Sequence, residues 1–101
     1  MPGNHMVEII SQEETDNAWR FTAQILADDG ALIRTTVTLA WADYNHWSVS
    51  GADEPAAVAL AVVRFMLMHV SPDGMPETFD ASAARRRYPD ADATIPQLIA
   101  S

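Results

Sequence analysis

AWRFTAQILADDGALIRTTVTLAW, from Ala18 to Trp41, holds two runs of alternating side chains around one turn signal. In the first run Trp19, Phe21, Ala23 and Ile25 fall on one face, and Arg20, Thr22 and Gln24 on the other, the period of a half-buried strand. The second run alternates likewise: Ile33, Val37, Leu39 and Trp41 take the apolar positions, against Arg34, Thr36 and Thr38. Turn length then sets the register. A two-residue Asp29-Gly30 loop places Ile25 opposite Arg34 and Phe21 opposite Thr38, which ruins both apolar faces. A three-residue loop, with Gly30 left-handed, instead pairs Ile25 with Ile33, Phe21 with Val37 and Trp19 with Leu39. The longer loop is therefore expected, in a hairpin with one buried and one wet face.

Upstream, MVEIISQ (Met6 to Gln12) alternates Val7 and Ile9 with Glu8 and predicts a first strand, followed by a polar turn over Glu13 to Asn17. Downstream, Ala42 to Gly51 is ambiguous. It either extends the third strand or turns at Asp43 to Asn45 into a short fourth strand over His46 to Val49. A helix follows from Pro55, with Asp53 or a neighbour as its cap and Glu54 at its positive end. It is expected to stop near Val70, before Ser71-Pro72. From Ala56 to Val70 only Arg64 and His69 are strongly polar, so this helix must be covered on two sides. The sheet supplies one cover. The other is the C-terminal segment or a second copy of the chain. That segment predicts a short helix from about Asp80 to Tyr88 and a last turn opened by Thr94 and Gln97 at capping-box spacing. Its anchors are Phe79, Tyr88, Ile95, Leu98 and Ile99.

The 101 residues fit one α+β domain over residues 6–101. Met1 to His5 read as an expression scar, with Met6 as the native start. The architecture expected is an antiparallel three- to four-stranded sheet, one long helix packed on one face, and a short helical C-terminal segment. There is no cysteine, hence no disulfide framework, thiolate metal site or cysteine nucleophile. The formal net charge is −8, with six arginines and no lysine. Phosphate backbones and anionic membrane surfaces repel such a chain, so neither nucleic acid by itself nor a membrane is an expected partner. No secretory signal or membrane-spanning run is present, and a cytoplasmic location is expected.

The densest group of chemically capable residues is WADYNHWS. Asp43, Tyr44, His46 and Trp47 there have two readings. In one, core tryptophans flank a turn built by Asp43 and Asn45; in the other, a small-molecule or catalytic pocket has aromatic walls and one titrating histidine. Arg85, Arg86 and Arg87 form the one basic cluster. Consecutive residues diverge around a helix, so these three favour dipole and carboxylate pairing over a single anion cradle. His69 reads as a packed histidine. His46 and His69 lack metal-ligand spacing, and no cofactor motif occurs, so neither metal nor cofactor is expected.

The order strand, strand, strand, helix, with GADEPAAVALAVVRFML after the third strand, resembles the sheet-and-helix domain of HicB-like antitoxins over about Val7 to Val70. That resemblance implies an antitoxin-type protein partner, which an acidic surface could engage by mimicking nucleic acid. WADYNHWSVS replaces the antitoxins' glycine-rich stretch, however, and no DNA-binding tail follows. The chain as a whole resembles a small bacterial protein family, with WADYNHWS and FDASAARRRYPDAD as the recognisable stretches, a likeness that implies no activity.

The leading functional expectation is a non-enzymatic interaction module, self-associating through helix residues Phe65, Leu67 and Met68. The second is a ligand-binding or catalytic domain with a pocket near Tyr44, His46, Trp47 and the three arginines.

Overall fold

A computed structural model describes residues 5–100, so Met1–Asn4 of the expected scar and the terminal Ser101 lie outside the described residues. Three strands come first: β1 (Met6–Glu14), β2 (Ala18–Leu26) and β3 (Leu32–Ala40). β2 and β3 pair in the expected register, Ile25 with Ile33, Phe21 with Val37 and Trp19 with Leu39. The loop is the three-residue one. Ala27 N–H bonds the carbonyl of Ala31 at 2.9 Å, and Gly30 has φ +87°, a left-handed conformation that a side chain would strain.

β1 runs two residues further than expected and carries a bulge at Ile10, between the Ile9–Ala23 and Ser11–Thr22 pairs. A bulge shifts the alternation by one residue. Val7 and Ile9 therefore share the inner side with Ile25 and Ala23, whereas beyond the bulge Gln12 and Glu14 share it with Phe21 and Trp19.

Ala42 to Gly51 takes neither of the expected forms. Trp41–Trp47 is a helix, α1, and Trp41 opens it as an exposed residue instead of closing β3. The fourth strand lies elsewhere: β4 (Thr78–Asp80) pairs parallel to β3, giving sheet order β1-β2-β3-β4. Thr36 N–H bonds the Glu77 carbonyl at 2.9 Å, and the buried Thr35 hydroxyl bonds that of Pro76 at 2.7 Å.

The long helix, α2, spans Pro55–Leu67. Glu54, not Asp53, takes the N-cap position, without a side-chain bond; Asp53 instead accepts from the Ser48 hydroxyl at 2.7 Å. α2 ends three residues before Val70, in a turn where the N–H groups of His69 and Val70 both bond the Met66 carbonyl at 2.9 Å. One flank lies on the inner sheet face, where Phe21, Ala23, Ile25, Val37 and Leu39 are buried in one cluster with the residues of α2. The other flank is covered by α4, Ala91–Ala100. A shorter helix, α3 (Ser82–Arg87), links β4 to it.

The last turn thus proves to be a ten-residue helix. Thr94 lies inside it, and the first helical bond runs from Thr94 N–H to the Asp90 carbonyl at 3.0 Å, so the Thr94–Gln97 capping box does not form. Ile95 is fully buried. Phe65 (0 % exposed) and Leu67 (4 %) are covered by the chain itself, so neither is free for an interface; Met68, 49 % exposed, lies outside the core. The argument for self-association drawn from an uncovered α2 lapses.

Candidate functional site

Helical geometry sorts the WADYNHWS side chains. Asp43, His46 and Trp47, three and four apart, lie along one face of α1, with Tyr44 flanking that face and Trp41 further round. Tyr44 packs edge-on against Trp19, ring centroids 5.4 Å apart, and Trp19 also meets Trp41 at 6.1 Å. The Tyr44 hydroxyl donates toward the carbonyls of Asp53 and Gly51, anchoring the loop into α2. Tyr44 thus makes its contacts with Trp19 and the loop into α2.

Asp43, His46 and Trp47 face α3 and the first turn of α4, where Asp92 is the hub. Its Oδ1 accepts from the buried Trp47 Nε1–H at 3.0 Å and from Arg85 Nε–H at 2.9 Å. Its Oδ2 lies 3.2 Å from His46 Nε2 and 3.4 Å from a terminal nitrogen of Arg85. The other terminal nitrogen of Arg85 reaches the buried Asp43 at 3.4 Å. Three of the seven predicted site residues thus converge on a carboxylate the sequence reading did not single out, and a fourth, Asp43, joins them through Arg85.

Burial alone would raise the Asp92 pKa. The hydrogen bonds from Trp47, Arg85 and His46, with the Arg85 charge, outweigh it and hold the carboxyl below its ordinary value. The Asp92 hydrogen bond in turn pushes Arg85 upward against partial burial, and Asp43 adds to the rise.

Arg86 and Arg87 stay out of this group. Arg86 donates to the Ser82 hydroxyl one turn back at 2.7 Å, and Arg87 lies 5.9 Å from the centre of the Tyr88 ring. The three arginines diverge, as one helix requires. His69 stacks on Tyr88 at 3.9 Å with Phe65 edge-on at 4.8 Å, and its Nε2 is 3.9 Å from Asp90. Among the described residues no group of histidine and carboxylate side chains is arranged to hold a metal ion.

The network is a clasp. Each Asp92 oxygen meets two donor groups, and among the described residues no buried side-chain nitrogen or oxygen lacks a partner. Surface hollows lie on the outer sheet face, one around Glu8, Gln24, Leu26 and Leu32 and another around Arg20, Thr36, Thr38 and Asp80, and others beside the end of α2 and the β2–β3 turn. The outer face is crossed by the rows Met6–Leu26–Leu32, Glu8–Gln24–Arg34, Ser11–Thr22–Thr36–Thr78 and Glu13–Arg20–Thr38–Asp80.

The far margin of the sheet is open. β1 is a nine-residue edge strand whose outward backbone groups pair with no other strand among the described residues. Sequence reasoning missed this margin, although its signal was visible: a polar, lysine-free first strand at the start of a meander. No helix in the described chain is long and apolar enough to cross a membrane.

No family model matches the chain, and no curated protein or solved structure matches it either.

Proposed function

We propose that the chain is a non-enzymatic interaction module whose partner docks along the free margin of β1. The observation that carries this reading is the open edge: a nine-residue strand whose outward-pointing backbone donors and acceptors, at about every second residue, meet no other strand among the described residues. Strand addition to such an edge is a general mode of protein recognition. Native proteins usually blunt an edge of this length with lysine, proline or a bulge; β1 has neither lysine nor proline, and one bulge.

The competing reading, a ligand-binding or catalytic site, has one feature in its favour: the half-exposed His46–Asp92 pair at 3.2 Å. Against it, both Asp92 oxygens are already engaged, and the Tyr44 ring and hydroxyl are taken up by Trp19 and the loop into α2. An antitoxin-type role, implied by the HicB resemblance, is one form an interaction module can take. A toxin gene beside its own would favour that form.

Site-specific photo-crosslinking tests the edge. A benzophenone side chain at Ile10, within β1, is expected to give a discrete adduct in cells. The same group at Val49, 89 % exposed in the loop after α1, is expected to give none. Equal labelling from both positions, or no adduct at Ile10, overturns the proposal.

A further inference from the structure

We infer that the β1 margin, read as above as a docking edge, takes an extended cationic segment of another protein, with two basic side chains five residues apart. The first step is charge. β1 carries Glu8, Glu13 and Glu14 and no basic residue. Glu13 is answered by Arg20 on β2 at 3.3 Å, whereas Glu8 and Glu14 make no ion pair among the described residues. A second copy would bring the same three carboxylates and another net charge of −8 to this margin. Self-repulsion disfavours that pairing, and complementarity selects a basic strand.

The second step is register. Glu8 stands opposite Gln24, on the outer side, and Glu14 opposite Trp19, on the inner side. They are six residues apart in sequence, but the bulge at Ile10 reduces this to five ladder positions, as the spacing of Trp19 and Gln24 on β2 shows. A regular guest strand alternates its side chains strictly, so residues on opposite faces are an odd number apart. Two cations five apart meet Glu8 on one face and Glu14 on the other. Six apart, both point to one face, and one carboxylate goes unanswered. The bulge thus converts an exposed edge into one with a preferred spacing.

Synthetic eleven-residue peptides of alternating valine and threonine provide the probe, with arginines five apart, arginines six apart, or glutamates five apart. The expected result is slowed amide exchange along β1 with the first peptide. Its affinity should be about threefold above the six-spaced one and about tenfold above the acidic one. The double variant Glu8→Gln/Glu14→Gln keeps the edge and is expected to bind both basic peptides equally. Equal binding of the two basic peptides by the parent protein overturns the spacing; equal binding of the acidic peptide overturns the cationic partner, while edge docking survives. Protection of β1 by none of them defeats edge docking as well. A dimer in light scattering with β1 already protected would show a second copy in the margin and overturn the inference.

Discussion

Replacing Asp92 by alanine leaves the buried Trp47 N–H without an acceptor and parts Arg85 and His46 from their shared carboxylate. An unsatisfied buried donor costs about 1–3 kcal/mol, so Asp92→Ala is expected to lower unfolding stability by about 2 kcal/mol in urea titration. Asp92→Asn keeps an oxygen for Trp47 and should cost roughly half as much. The acid limb carries a second signature. Because the folded pKa of Asp92 lies below its ordinary 3.8, its stabilising contribution is complete above that pH and fades as pH falls past it toward the folded value. The parent protein should therefore lose more stability on acidification below this point than Asp92→Asn does. Parallel acid limbs would remove the clasp from the energetics. Gly30 was legible in the sequence because one loop length alone spared both apolar faces. Asp92 was not, because within PDADA it looks like any solvated turn carboxylate, and its three donors come from two distant segments.

Elements with their own periodicity were readable; elements made by their surroundings were not. β2, β3 and α2 each carry a pattern that one environment satisfies. α1 has seven residues and no side-chain cap, and a helix so short is unstable alone. Burial of Trp47, the Tyr44–Trp19 contact and the Asp92 bonds hold it together, and none of these is visible in WADYNHWS itself. β4 is three residues long and too short to alternate. The last turn expected around Thr94 and Gln97 is part of the longer α4, whose interior Pro96 is tolerated at the loss of one helical bond, to the Asp92 carbonyl. The weight borne by α4 is open to measurement. Ile95→Ala should destabilise the protein by about 3 kcal/mol, with faster amide exchange in α2 as well as α4. Faster exchange confined to α4 would mean that the second cover is dispensable.

At the scale of the whole molecule, the fold class followed from the sequence because a helix apolar on both flanks admits few layer arrangements, and sheet, α2 and α4 supply one. The proposed docking edge was less legible, since an open edge is a property of what fails to pair. The surplus of carboxylates acts on the entire chain. With a net charge of −8, self-repulsion outweighs the exposed ion pairs, so added salt should stabilise. The melting temperature is expected to rise by a few degrees between about 10 and 150 mM sodium chloride. A fall would show that the ion pairs around Asp92 and Glu13 dominate instead.

The parallel pairing of β4 with β3 bears on how the molecule is born. Synthesis delivers β3 long before its neighbour, because residues 41–77 must first be made and α2 laid down. For that interval a nascent chain carries a sheet with two unguarded borders, the condition in which growing polypeptides associate wrongly. Only the emergence of Thr78–Asp80 closes one of them, so translation speed across this span bears directly on the yield of native protein.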